Sequence, residues 1–126
     1  MKSAHAWILL LIASLAGCSS IPTSEHHMAK VGFDLQQLDV DGLLTLKEGK
    51  RALSYEFCIP ANVEAAQTVM SIDPSAIVYN DSPGAIGCTQ QQYRVMGDTF
   101  QKEYKITLQG LSDLPYITRI VEVHFN

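Results

Sequence analysis

The start of the chain constrains everything that follows it. One basic residue, Lys2, precedes an apolar stretch over residues 7–16 that carries no charge, and small residues then lead to Cys18. A basic start, a short apolar middle and a small-residue cleavage region make the layout of a secretory signal. A membrane-spanning helix needs roughly 20 apolar residues, and neither this stretch nor any later one in the 126 residues is that long. The part expected to fold is therefore the remainder, exported, with lipid as its only means of holding a membrane.

The residues Leu15-Ala16-Gly17-Cys18 resemble the lipobox of bacterial lipoproteins. The resemblance covers only the leader. It implies cleavage between Gly17 and Cys18, diacylglycerol on the Cys18 sulfur and acylation of the new amino group. In Gram-negative lipoproteins a serine after the cysteine goes with transfer to the outer membrane, and Ser19 fits that pattern, so the expected location is the periplasmic face of the outer membrane. Each buried acyl CH₂ contributes about 0.8 kcal/mol, which makes two or three chains a lasting anchor.

Charge narrows the partners. The chain has 9 Lys and Arg against 13 Asp and Glu; without Lys2 the mature net charge is 8 minus 13, or −5. An acidic surface does not suit nucleic acid or anionic lipid, both of which select basic patches. We expect a covalent lipid attachment to the membrane, an envelope or periplasmic protein as partner, and no nucleic acid. Three segments follow: a leader over 1–17, a lipidated tether over 18–30 and one small domain over 31–126. The tether, with its polar run through His26 and His27, lacks bulky apolar residues. Adjacent histidines on such a tether are read as solvated rather than as metal ligands.

With Cys18 assigned to lipid, Cys58 and Cys88 are left as a pair in an oxidising compartment, where they most simply form a disulfide. Redox chemistry usually places its cysteines as Cys-x-x-Cys, and a zinc site needs more ligands than two thiols.

Residues 31–53 admit two readings. As strands, Asp41-Gly42 is a two-residue hairpin turn between Leu38 and Val40 on one side and Leu43, Leu44 and Leu46 on the other, with a second turn at Glu48-Gly49-Lys50. As helix, loop and helix, residues 37–48 resemble a calcium-binding EF-hand loop. Gln37 stands at its first position, Asp39 and Asp41 at the third and fifth, Gly42 at the sharp turn, Leu44 at the packed aliphatic position, Thr45 at the ninth and Glu48 at the closing bidentate position. Gln37 departs from the Asp usual at the first position. In that alternative the ligands are Asp39, Asp41 and Glu48.

The order beyond is clearer. Residues 53–59 alternate apolar and polar as a half-buried strand ending at Pro60. Asn62 caps a helix with Val63, Ala66, Val69 and Met70 on one side, and Asp73-Pro74 stops it. Residues 76–79 and about 91–96 form two strands around a turn-rich loop. Asp98 or Thr99 caps a second helix carrying Phe100, Tyr104, Leu108 and Leu111 as a core stripe. Residues 117–125, apolar and β-branched, read as the longest strand. The order β-α-β-β-α-β predicts an α+β fold of the split, ferredoxin-like kind, with a hairpin ahead of it. It puts the end of the first strand beside the loop joining the second and third, where Cys58 and Cys88 meet. The runs Tyr55-Glu56-Phe57-Cys58-Ile59-Pro60 and Ser82-Pro83-Gly84-Ala85-Ile86-Gly87-Cys88 resemble small bacterial proteins of unknown role; this covers the C-terminal two thirds at most and implies no activity.

Catalytic patterns are faint. Beyond the tether the only histidine is His124, in the last strand, so no Ser or Cys gains a base from the pattern. Glu56, Glu64, Asp73, Asp81, Asp98 and Glu103 form the kind of carboxylate list any small domain has. Gly84 and Gly87 lack the strand, glycine fingerprint and helix of a phosphate loop. The expectation is a non-enzymatic interaction or structural module without cofactor or metal, presenting the loop over 80–88 and the open face of its sheet.

Overall fold

A computed structural model describes Gly17 and residues 27–125. Cys18 with its expected lipid, Ser19 and His26 lie outside the described residues. The elements, in chain order, are β1 (Leu43–Leu46), β2 (Gly49–Ala52), β3 (Ser54–Pro60), α1 (Val63–Ile72), β4 (Ile77–Tyr79), β5 (Gln92–Asp98), α2 (Tyr104–Ser112) and β6 (Val121–Glu122), with short 3-10 turns at His27–Lys30 and Leu35–Gln37 ahead of them. The fold is mixed α+β, with β1 and β2 forming one antiparallel sheet and β4, β5, β3 and β6, in that order, a second.

The period-2 pattern of β3 sets the core. Tyr55, Phe57 and Ile59 are fully buried on the inner face, and Phe33, Tyr55 and Phe57 stack with ring centroids 6.2 and 6.3 Å apart. Burying side chains of this size contributes about 1.5–3 kcal/mol each. β3 lies at the sheet's centre, matched residue for residue with β5 from Ser54 opposite Asp98 to Pro60 opposite Gln92.

α1 begins where its cap predicts. The Asn62 side chain accepts from the Ala65 N–H at 2.8 Å, satisfying a donor that the first helical turn leaves free. Its buried face is turned from the expected one: Ala65 and Val69 are buried, while Val63 and Met70 face solvent. α2 departs further. It starts at Tyr104, and Asp98 instead accepts from the Phe100 N–H in a local turn. Phe100 is thereby left outside the helix and 65% exposed, while Tyr104, Leu108 and Leu111 form the core stripe.

The expected last strand shrinks to β6. The chain turns at Ile117, whose N–H donates to Leu114 O. At Ile120 the backbone bonds the segment beside β6 instead of β3: its N–H donates to Lys30 O and its carbonyl accepts from Gly32 N–H. Apolar composition places Ile117 and Ile120 in the core without making them one long strand. The same pairing draws residues 27–30 onto the folded body, ahead of the expected boundary at 31. Lys30 donates to the carbonyls of Ser112 (2.7 Å) and Leu114 (3.1 Å) at the end of α2, a favourable place for a cation.

The hairpin forms near the second expected turn, Glu48-Gly49-Lys50, but turns one residue earlier, at Lys47-Glu48, with Gly49 and Lys50 already in β2. At the first, Asp41-Gly42, Leu38 and Leu44 make an isolated bridge and the Asp39 N–H donates to Leu43 O. Gly42 has φ +78°, and a Cβ there would collide with the Thr99 carbonyl. Thr99 is the joint between sheets: its hydroxyl bonds the Gly42 carbonyl and accepts from the Leu53 N–H.

Candidate functional site

The face of the large sheet away from the helices carries Glu56 and Cys58 on β3, Arg94 and Met96 on β5, and Ile77 and Tyr79 on β4, set side by side by the register. Part of it is roofed. The loop over 80–91 folds back on the sheet and is fastened at several points.

Cys88 is bonded to Cys58, with Cα atoms 5.5 Å apart and a sequence separation of 30. Closing that loop restrains the unfolded chain by about 3–4 kcal/mol on the chain-entropy account. Ile86 is fixed on both sides of its backbone: its N–H donates to Glu56 Oε1 at 2.8 Å, and its carbonyl accepts from Arg119 Nη2 at 2.7 Å. Glu56 Oε2 in turn holds Arg94 Nη1 at 3.2 Å, and the guanidinium lies over the Tyr79 ring at 4.4 Å. Glu56 is 2% exposed. A carboxylate removed from water so completely needs such partners, and deleting one of them leaves the other charge stranded.

Gly84 makes the roof possible. Its φ is +64°, and a Cβ would lie 2.2 Å from Arg94 Cδ and 2.8 Å from Glu56 Oε2. Only glycine allows the backbone both that conformation and that approach. Two loop bonds, Gly87 N–H to Gly84 O and Cys88 N–H to Pro83 O, close the turn between Pro83 and the disulfide.

Beside the roof is a hollow of about 460 Å³ lined by Asn80, Asp81, Ser82, Thr89, Gln90 and Gln92, with Pro83 and Cys88 as its apolar parts. Thr89 N–H donates to Gln92 Oε1 at 2.9 Å, which orients that amide.

At the opposite end of the sheet a second buried polar cluster joins β3 to the turns after α1 and β5. Tyr55 Oη donates to Asp73 Oδ2 at 2.6 Å; Ser75 Oγ and Gln101 Nε2 donate to Asp73 Oδ1 at 2.7 and 3.1 Å. Burial, and then the Asp73 carboxylate, pushes the Tyr55 hydroxyl far above its ordinary range. Ser75 and Gln101 form part of the wall of an open groove of about 650 Å³ that also includes Lys50, Arg51 and Phe100.

The residues of the calcium alternative are not gathered into one site. Asp39 Oδ1 accepts from the N–H groups of Asp41 and Leu43 at 2.9 and 3.0 Å, and Oδ2 from Lys50 Nζ at 2.8 Å. Those bonds, the Lys50 one foremost, hold its carboxyl below the usual range. Glu48 sits in the turn at the other end of β1. Among the described residues no three His, Cys, Asp or Glu side chains lie together as a metal would need. His124 stays exposed, 3.9 Å from Glu122.

Sequence reasoning found the disulfide and missed the pair beneath the loop. The signal was available: Glu56 is two residues before Cys58 and so shares its face, and a bridge to Cys88 must bring that loop across it. No protein-family model, curated protein or solved structure matches the chain.

Proposed function

We propose that this chain is a lipid-anchored envelope protein, held by Cys18 at the periplasmic face of the outer membrane, whose domain binds an envelope or periplasmic protein. Support for the anchor is the run Leu15-Ala16-Gly17-Cys18-Ser19. The Cys58–Cys88 bridge suits an oxidising compartment. We read the large sheet as the split, ferredoxin-like arrangement, because β3 lies between β5 and β6 and pairs antiparallel with both, with β4 outside β5.

The observation that carries the binding role is a pair of exposed aromatic side chains at one end of the large sheet. The chain comes in at His27–Lys30, beside the C-terminal end of α2. Phe100 and Phe125 are exposed, by 65% and 75%, and flank the other end of the large sheet, while Val63, Met70 and Ile106 are exposed singly on the helices. There β3 starts at Ser54 opposite Asp98, and Val123 N–H donates to Ser54 O. A lipid on Cys18 leaves that end free to face outward, and exposed aromatic side chains there offer a contact surface for protein.

Metabolic labelling with a palmitate analogue tests the anchor. Wild type takes label and sediments with membranes, and Cys18→Ser does neither; an unlabelled wild type removes the reading. For the partner, a photo-crosslinker placed at Phe100 gives a discrete protein adduct that one placed at Glu64 on α1 does not. Equal or no adducts at the two positions sink the assignment of the contact end.

A further inference from the structure

We infer that the Cys58–Cys88 bridge is a reducible latch: a dithiol attacks it at Cys58, and the loop over 80–91 then leaves the sheet and uncovers the Glu56–Arg94 pair. The inference is independent of the lipid anchor and of the protein contact at the other end of the sheet. It makes the bridge a substrate for thiol–disulfide exchange and not a redox catalyst, for which Cys-x-x-Cys spacing is usual.

The two sulfurs stand in different surroundings. Cys88 is 7% exposed, whereas Cys58 is half-buried and lines a surface hollow of about 190 Å³ together with Ile86, Gly87, Gln92, Thr118 and Arg119. Exchange depends on which sulfur an incoming thiolate can reach, and the hollow gives access at Cys58. No Asp or Glu lines it, and the Arg119 guanidinium, which donates to Ile86 O at 2.7 Å, is the one charge in the lining. A cation beside a partly exposed sulfur draws in a thiolate and is the setting of reactive cysteines, in contrast to inert ones enclosed by apolar groups.

The exchange runs in two displacements. The attacking thiolate bonds to Cys58 Sγ, the bridge breaks, and its electron pair leaves on Cys88 Sγ, which takes up the proton that the attacking thiol gave to solvent. The second thiol of the dithiol, ionised in the same way, displaces Cys58 from the mixed disulfide, and Cys58 Sγ is protonated in turn. The protein's bridge is thereby reduced to two thiols and the dithiol oxidised to a disulfide.

The position of the bridge keeps the opening local. Cys58 lies on the face of β3 opposite the buried Tyr55, Phe57 and Ile59. Residues 80–91 form no helix or strand, and the strands they join, β4 and β5, are held by their own pairing. Without the bridge, the middle of the loop is fastened to the rest of the domain by the two bonds to Ile86, and segments held so lightly open before the core does. Arg94 is the cross-strand partner of Cys58, so lifting the loop lets water reach the buried pair.

The test uses the full chain in detergent micelles and a reduced thioredoxin as the dithiol. In native buffer thioredoxin reduces the bridge, read by mass after alkylation, and a thioredoxin whose second cysteine is replaced by serine is trapped on Cys58. In amide-resolved NMR of the reduced protein, residues 80–91 move to unstructured shifts, α1 and α2 keep their native ones, and reoxidation reverses the change. Arg119→Gln, which keeps a donor for Ile86 O and drops the charge, slows the trapping severalfold. The inference is overturned if the native protein resists thioredoxin or if the adduct forms on Cys88. It is equally overturned if reduction also disperses the shifts of α1 and α2, if residues 80–91 keep their native shifts, or if Arg119→Gln is trapped as fast as wild type.

Discussion

Two carboxylate–cation pairs, built from the same chemistry, sit in opposite surroundings. Glu56 and Arg94 lie under the stapled loop with side chains 2% and 13% exposed; Asp39 and Lys50 lie on the hairpin with side chains 26% and 56% exposed. The first pair holds a loop onto a sheet, with Glu56 gripping Ile86 N–H and Arg94 filling the space that Gly84 leaves. The second shapes a turn that backbone bonds already define. Solvent, not charge, sets what each contributes.

The sharpest way to break the comparison is to strand one buried charge. Arg94→Ala leaves the buried Glu56 carboxyl without its partner and opens a gap beside Gly84, and should destabilise the domain by about 3–5 kcal/mol in urea unfolding. Glu56→Gln keeps an acceptor for Ile86 N–H and should cost less. If Arg94→Ala unfolds at the wild-type midpoint, the pair does not hold the roof.

Removing the staple comes next. Cys58→Ser with Cys88→Ser should lower stability by about 3 kcal/mol, with the loss of amide protection concentrated in residues 80–91. A uniform loss of protection would mean that the bridge supports the whole fold and not this loop. Asn62→Ala touches neither pair and calibrates both: losing one helix cap should cost about 1 kcal/mol, or roughly 5 °C in Tm for a domain of this size.

What the sequence disclosed and what it hid follow the same division between local and distant causes. The Asn62 cap and the alternation of β3 are set by near neighbours and were legible. The cysteine pair was legible too, since once export is assumed the two have only each other. Glu56 was not, because alternation marks its face as the solvent side and the covering loop comes from a later stretch. Phe100 fits a helical spacing with Tyr104, but Asp98 captures its N–H and the helix starts after it. The run over 117–125 has strand composition, yet Ile120 finds its backbone partners at Lys30 and Gly32, which strand periodicity does not disclose. Phe100, expected in the core, is exposed for the same kind of reason.

The smallest effect is expected at the exposed pair, and its pH dependence separates it from the buried one. The bonds from Lys50 and from the Leu43 and Asp41 N–H groups lower the Asp39 pKa in the folded protein. A carboxylate depressed on folding contributes stability above its unfolded value, near 4, and loses it as pH falls through the folded value. Lys50→Ala removes the largest of these causes and leaves the two backbone bonds, so the Asp39 midpoint in a carboxyl NMR titration should rise toward the ordinary value while the neutral-pH melting temperature hardly moves. Raising the salt should act in the same direction on wild type, because this pair is open to solvent. Calcium at millimolar concentration should leave both readings unchanged, since Asp39 already accepts three hydrogen bonds and Glu48 stands at the other end of β1. A calcium-dependent rise in melting temperature, abolished by Glu48→Ala, would instead mean that the hairpin rearranges to gather Asp39, Asp41 and Glu48 around the ion, and the exposed pair would then be a resting state of a binding loop.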